Sequence, residues 1–242
     1  MLNIEDIVRF ADTVDVELVK PLLDNQIRCN SAIAEEGLRG DWGANVGRVL
    51  LSEFGSDIKN EARAYAAAAS DARMSGCELP VVIVTGSGNQ GITASVPVIR
   101  YAKHIGASDE RLYRALLVSD LVTIHQKTGI GRLSAYCGAV SAGCGAGAGI
   151  AYLLGGDYRA IAHTIVNAVA ILSGTICDGA KPSCAAKIAS AVEAGILGYY
   201  MYVNDQQFRG GDGIVAKGVE NTIRNVGLLA SQGMKQTDRV IL

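Results

Sequence analysis

The sequence predicts a mainly α-helical fold: a compact domain rich in glycine and alanine, with at most one or two short strands. Hydrophobic residues make up 49% of the 242 residues but aromatic residues only 5%, and 29 residues are glycine. Small side chains let neighbouring helices pack at short separations, which favours a tightly packed helical core over aromatic-filled layers. Only one run, residues 79–85, has the composition of a β-strand.

The first half of the chain divides into helical segments separated by glycines and capping residues. Asp15 can cap a helix that starts near Val16. Residues 57–75 are rich in alanine, contain neither glycine nor proline, and are followed by Gly76, which is typical of a helix and its end. The helices predicted here span residues 3–10, 22–38, 46–54 and 57–75.

The second half contains two uncharged segments, residues 133–156 and 160–177, which we interpret as buried helices. Length alone would allow either of them to cross a membrane. Against a membrane span, the first is crowded with glycine, the second contains His163 and Asn167, and only a tight connection separates them. The other predictions are a helix ending near residue 104, helices over 108–124, 185–203 and 214–229, and a polar segment over 125–132.

The strand-like run LPVVIVT leads into residues 86–91, GSGNQG, which match the pattern G-x-G-x-x-G. A dinucleotide-binding fold places an acidic residue on a second strand about 20 residues further on. That position holds Ser108, Asp109 and Glu110, which are typical of the cap and first turn of a helix. No βαβ repetition follows, so the loop is interpreted as a plain turn or an anion site formed by backbone N–H groups.

Charge and cysteine usage exclude several classes of protein. The net charge of −2 argues against nucleic-acid binding, because no basic stripe is available to contact phosphates. The N-terminus has acidic residues and no basic region before an apolar run, so no signal peptide is predicted. Six cysteines without a secretion signal indicate the reducing cytoplasm, where thiols bind metals or react more often than they pair.

Four of the six cysteines lie within residues 133–184 and form two pairs with the same spacing. Cys137 and Cys144 are separated by two helical turns and can share one helix face. Cys177 and Cys184 have glycine and proline between them, so they are expected on a turn that can direct both thiolates to one centre. The spacing matches neither C-x-x-C sites nor the ferredoxin run. An iron–sulfur cluster and structural buried cysteines are therefore the two alternatives.

Five stretches of the chain carry a resemblance to a known family: TGSGNQGITASVPVI, LVTIHQKTGIGRLSAYCG, CGAVSAGCGAGAGIAYLLGG, IVNAVAILSGTICDGAKPSCAAKIASAVEAG and GDGIVAKGVENTI. These stretches resemble the UPF0597 proteins, a group similar to L-cysteine desulfidase and, more distantly, to the iron–sulfur L-serine dehydratase alpha domain. The resemblance covers nearly the whole chain and corresponds to the C-terminal portion of these proteins.

The resemblance implies one largely α-helical catalytic domain over residues 1–242, with an oxygen-sensitive [4Fe-4S] cluster. The three cluster ligands of such enzymes match Cys137, Cys177 and Cys184, whereas Cys144 matches no ligand and is assigned to packing. The open iron would act as a Lewis acid on the thiolate or hydroxyl of a small amino-acid substrate. β-Elimination and hydrolysis would then give pyruvate and ammonia, with sulfide from cysteine.

The substrate carboxylate needs hydrogen-bond donors, and the motif GSGNQG offers the first candidates. The candidate substrate-binding residues are Gly88, Asn89, Gln90 and Gly91, followed by Lys127 and Arg132.

The resemblance also implies that a large part of the family protein precedes this region, including a cysteine in a Cys-Thr-Glu-Pro type motif that serves as the base. This chain has no such motif, and Cys29 does not match it, so its catalytic base is unassigned. We therefore expect the chain alone to be inactive, with an N-terminal partner domain or self-association into a homo-oligomer completing it. The alternative class is a non-catalytic helical module that binds a metabolite or a partner chain, and a dinucleotide-dependent oxidoreductase comes third.

Overall fold

The computed structural model describes residues 2–131 and 134–241, and within them it contains eleven α-helices and no β-strand. This confirms the predicted fold class. A short 3₁₀ turn precedes α2 and a π-helical turn follows α10. The helices are α1 (Ile4–Thr13), α2 (Lys20–Arg39), α3 (Val46–Phe54), α4 (Ile58–Met74), α5 (Gly88–Ile105), α6 (Asp109–Ile130), α7 (Gly138–Leu153), α8 (Tyr158–Leu172), α9 (Cys184–Val203), α10 (Val219–Leu228) and α11 (Lys235–Ile241).

Several helices begin at a capping side chain. Asp57 accepts hydrogen bonds from the backbone N–H groups of Lys59 and Asn60 at the start of α4, and Ser108 caps α6. The predicted end of this helix at residue 124 was wrong, because α6 continues to Ile130 through the first part of the polar segment. Its last turns carry polar residues but still pack against the core.

The strand predicted over residues 79–85 was also wrong. Within this run only Val84 forms a β-bridge, to Ser87 across a tight turn. The helices that surround this run offer no sheet edge to pair with. The side chain of Asn30 forms hydrogen bonds with its backbone instead. Its Oδ1 accepts from Val82 N at 2.9 Å, and its Nδ2 donates to Val82 O at 3.3 Å. The run is therefore an extended loop held by a side chain.

Helix α7 is the centre of the bundle, and nearly all of its residues are buried. Its glycines allow α9 to approach closely: a Cβ on Gly143 would lie 2.4 Å from the carbonyl of Ala191, and one on Gly147 would lie 2.7 Å from Gly195 Cα. These contacts advance in the same direction along both helices. Helices α7 and α9 are therefore parallel and begin at the same end of the bundle.

Helix α5 is parallel to α7 as well. A Cβ on Gly138 would lie 2.4 Å from the side chain of Gln90, and one on Gly149 would lie 2.9 Å from that of Val98. Three helices thus begin at one end of the bundle, which we call the cysteine end. Because helix N-termini carry partial positive charge, this end favours thiolates and other anions.

Helix α6 runs in the opposite direction. A Cβ on Gly145 would lie 2.2 Å from Thr123 Oγ1, and one on Gly149 would lie 2.8 Å from Ala115 O. The last turn of α6 therefore reaches the cysteine end. Along the described residues, no helix is both long and apolar enough to cross a lipid bilayer.

Candidate metal and substrate site

Three cysteines lie at the cysteine end. Cys137 is the N-terminal cap of α7, and Cys184 is the first residue of α9. Cys177 lies in the connection between α8 and α9. Because α7 and α9 are parallel and packed in close register, Cys137 and Cys184 start neighbouring helices at nearly the same level.

Backbone hydrogen bonds bring Cys137 and Cys177 side by side. Cys137 N donates to Thr175 O at 3.1 Å, and Cys177 N donates to Ala135 O at 2.7 Å. These bonds form an isolated antiparallel bridge between the two loops. The bridge fixes two of the three predicted cluster ligands next to each other.

The two thiols interact directly and titrate as a pair. Hydrogen bonding from Cys137 lowers the pKa of Cys177 to about 6, against the effect of burial, with further help from the Gly179 N–H and from Lys187. The same interaction, together with burial, raises the pKa of Cys137. Of the two thiols, Cys177 is therefore the one that ionises more readily.

Cys184 is half-buried and turned onto its own loop. Its sulfur accepts from Lys181 N at 3.4 Å and donates to Gly179 O at 3.7 Å. Across the described residues, no three His, Cys, Asp or Glu side chains are arranged to hold a metal ion. The structure thus joins two predicted ligands and places the third beside them on an adjacent helix.

Lys187, one turn into α9, lies among the three cysteines. Its Nζ donates to Ile176 O at 2.9 Å and to Asp178 Oδ1 at 2.5 Å. Burial disfavours its charge, yet Asp178 and the nearby Cys137 and Cys184 raise the pKa of Lys187 overall. The ammonium is therefore held where it can balance thiolate charge.

Asp178 also pairs with Lys181, so one carboxylate joins two lysines across the connection between Cys177 and Cys184. We call Asp178, Lys181 and Lys187 the Asp178 clamp. Hydrogen bonds from the two lysines hold the pKa of Asp178 well below its usual range. The clamp ties the loop to α9.

Lys127 lies in the last turn of α6 and is only 7% exposed. Burial lowers the pKa of Lys127, and the nearby Cys177 and Cys137 oppose that shift. The structure therefore places Lys127 against the pair of thiols. Its predicted role in binding substrate stays a prediction.

The first turn of α5 adjoins the thiols. Gln90 packs on Gly138, the residue after Cys137, and both Asn89 and Gln90 are buried. The N–H groups of Gly88 and Asn89 belong to the first helical turn, which has no intrahelical acceptors. Gly88, Asn89 and Gln90 therefore lie near the thiols, where their N–H groups could donate hydrogen bonds to a substrate carboxylate.

Gly91 is placed differently from the other three. Its N–H already donates to Ser87 O at 3.1 Å, and a Cβ there would lie 2.0 Å from Val82 O. Gly91 therefore allows the 79–85 loop to approach α5 and has no backbone donor left for a ligand. Arg132, the other predicted cation, lies outside the described residues.

Cys144 is 1% exposed in the middle of α7, and its thiol donates to Ile165 O at 3.6 Å. Burial raises the pKa of Cys144 to about 12. A protonated, hydrogen-bonded thiol in the core agrees with its assignment to packing.

Sequence reasoning missed three charged residues of this end. Lys187 and Cys184 are three residues apart on α9 and hence on one face, which is a signal that helical spacing offers. Asp178 directly follows Cys177. Arg73, in the last turn of α4, donates to Asn89 Oδ1 at 3.2 Å, and no pattern in the sequence links these two residues.

The fold and the site together define the class of this protein. It is an all-helical domain in which cysteines and lysines gather where three helices begin. The chain matches the serine dehydratase alpha chain family over residues 2–242 and belongs to it. This confirms the resemblance on which the expected site was based.

Relatives from several bacteria match along the entire chain. A UPF0597 protein of Desulfitobacterium hafniense is 66% identical, one of Lachnoclostridium phytofermentans 54% and one of Finegoldia magna 53%. The chain spans 56–58% of the length of these relatives. No solved structure matches the chain significantly.

Proposed function

We propose that this chain is the cluster-binding part of an iron–sulfur lyase that removes the β-substituent of L-cysteine or L-serine and yields pyruvate and ammonia, with sulfide from cysteine. The observation that carries the proposal is the backbone bridge that sets Cys137 beside Cys177, with Cys184 at the start of the neighbouring helix α9. Membership of the serine dehydratase alpha chain family supports it.

The residues at the cysteine end suit a [4Fe-4S] cluster with three protein ligands. Thiolates are the usual ligands of such clusters. Cys177 already tends to ionise, and the N-termini of α7 and α9 and the Lys187 ammonium favour negative charge there. Cys137, Cys177 and Cys184 would hold the cluster, with the Cys184 side chain turning away from Gly179 O. When bound, the cluster would supply an open iron that polarises the leaving group.

The other residues would bind and orient the amino acid. Gly88, Asn89 and Gln90 point donors at the place where a carboxylate would lie. The buried ammonium of Lys127 balances negative charge next to the thiols, and the core around α7 keeps water from one side of the site. Binding and orientation are therefore the contribution of this chain.

The proton acceptor for the α-proton is not assigned to this chain. We place it in the additional part that the longer relatives have, either as an N-terminal partner domain or through assembly of copies. We therefore propose that the complete protein acts in the reducing cytoplasm and that this chain by itself is inactive or nearly so.

The experiment is a pyruvate assay with L-cysteine and L-serine, performed anaerobically after cluster reconstitution. The chain is assayed alone and together with the N-terminal part that its relatives carry. We expect pyruvate only from the complete protein. Absence of pyruvate from the complete protein with a full cluster would refute the proposal.

A non-catalytic helical module that binds a metabolite or partner is the second candidate. One observation favours it: within the described residues the cysteines do not yet form a three-ligand metal group. A colourless protein without iron after anaerobic reconstitution would support this alternative over the lyase.

A further inference from the structure

Arg73 is a charged side chain of the cysteine end that the proposed site does not yet use. It is half-buried in the last turn of α4, and its Nη1 donates to Asn89 Oδ1 at 3.2 Å. In the described part of the chain no Asp or Glu forms an ion pair with it. A guanidinium has five N–H donors, so most of its binding capacity is available to a ligand.

The guanidinium lies directly on the first turn of α5. A Cβ on Gly88 would lie 2.3 Å from Arg73 Nε and 2.8 Å from its Cζ, so a side chain there would displace the guanidinium. The start of a helix carries partial positive charge, so a cation there is electrostatically disfavoured. An anion bound between the guanidinium and the helix would turn this repulsion into attraction on both sides.

Two amide side chains on the same turn also lack acceptors. Asn89 is 8% exposed and Gln90 is 9% exposed. The Asn89 carbonyl oxygen is used by Arg73, and the Gln90 carbonyl oxygen accepts from Thr85. Within the described residues their NH₂ groups donate to no protein acceptor, and neither nitrogen is fully enclosed. The two amides and the guanidinium thus all have donors left for a ligand, and a carboxylate accepts from such donors.

We propose that Arg73 binds the α-carboxylate of the amino-acid substrate, together with the amide groups of Asn89 and Gln90. The inference rests on the proposed lyase function and names its carboxylate-binding residue. Because Gln90 packs on Gly138, a carboxylate bound here lies close to the cysteine that begins α7. A planar guanidinium can bind both oxygens of a carboxylate at once, which a lysine cannot do.

The other cations of this end are less suited to the carboxylate. Lys187 and Lys181 already share the carboxylate of Asp178. Lys127 is buried within electrostatic range of Cys177 and Cys137. Arg73 is the charged group that stands over the α5 donors.

The test compares L-serine and L-cysteine with L-serinamide and L-cysteinamide, using the cluster-loaded chain together with the N-terminal part of its relatives. Arg73→Met is expected to raise KM for the two acids about 100-fold while kcat changes much less. Turnover of the carboxamides should stay as in the wild type, so the preference for acid over amide collapses. Arg73→Lys should retain an intermediate preference, because it keeps the charge without the planar fork.

Arg63→Met is the matched control. Arg63 lies on the same helix and pairs with Glu193 at a different part of the surface, so this change should leave the preference intact. Absorbance of the cluster and circular dichroism establish that each variant is folded and loaded.

Each outcome of the test decides the matter. A loaded Arg73→Met protein with the wild-type preference for acids overturns the role of Arg73 and leaves the lyase standing. A wild-type protein with a full cluster and no pyruvate removes the lyase and this inference together. If Arg73→Met does not fold, an Arg73→Lys protein with an unchanged preference overturns the inference, and a reduced preference supports it.

Discussion

The two cysteine pairs have the same spacing in sequence but are held in place by different forces. Cys137 and Cys144 lie on α7, whose position is set by close contact with α9 through glycines. Cys177 and Cys184 are half-buried at the two ends of a loop that the Asp178 clamp ties to α9. The comparison shows that core packing positions Cys137, while the connection between Cys177 and Cys184 is also held by surface charges.

The largest effect is expected where the core positions α7. In Gly143→Ala the new Cβ would lie 2.4 Å from the Ala191 carbonyl. We expect a net loss of about 2 kcal/mol in the free energy of unfolding, because overpacking outweighs a gain in helix propensity of about 1 kcal/mol. Urea denaturation measures this loss.

Gly174→Ala is the control on the loop side. A Cβ at this position has no heavy atom within 4 Å, so the free energy of unfolding of Gly174→Ala should match that of the wild type. If Gly143→Ala were as stable as Gly174→Ala, the close packing of α7 and α9 would not be what fixes Cys137.

The second effect concerns the clamp. Asp178→Asn removes the carboxylate shared by Lys181 and Lys187, and we expect iron affinity to fall between about tenfold and about 100-fold with little change in stability. Anaerobic titration with iron and sulfide, followed by absorbance, gives the affinity.

Asp41→Asn breaks an exposed ion pair with Arg48 away from the site and serves as the control. Equal iron affinity in the two variants would show that the clamp does not position the cysteines.

The smallest effect is the pH dependence of thiol alkylation, which should differ between Cys177 and Cys144. Iodoacetamide reacts with the thiolate, and the pKa of Cys177 is lowered to about 6. Its alkylation in the metal-free chain should rise about tenfold between pH 5 and pH 8, with its midpoint near pH 6. Cys144, buried with its pKa raised to about 12, should react only after unfolding. Mass spectrometry of the peptides would contradict this if Cys177 followed an ordinary thiol near pH 8.5.

The sequence predicted most of the helices because their signals are local, but it did not predict all of their ends, such as Ile130 of α6 and Val219 of α10. Alanine-rich composition and capping residues such as Asp57 and Ser108 predict where helices begin. The prediction failed at residues 79–85, which have high β-propensity but no neighbouring strand in the helical bundle to pair with. The side chain of Asn30, far away in sequence, decided the conformation of that loop.

The cysteines of the candidate site came from the family resemblance and not from spacing, and Asn89, Gln90 and Lys127 were proposed from the polar motifs that contain them. What brings Cys137 level with Cys184 is the parallel register of α7 and α9, set by contacts such as that between Gly147 and Gly195. Tertiary register of this kind has no signature within one helix. The same holds for Arg73, which reaches Asn89 only because α4 ends beside the start of α5.

The most direct test of the central claim is the iron and sulfide content of anaerobically reconstituted variants. Wild type and Cys144→Ser should bind about four irons per chain and absorb as a [4Fe-4S] protein. Cys137→Ser, Cys177→Ser and Cys184→Ser should each lose the cluster while remaining folded. A full cluster in any one of these three variants, or its loss in Cys144→Ser alone, would contradict the proposed ligand set.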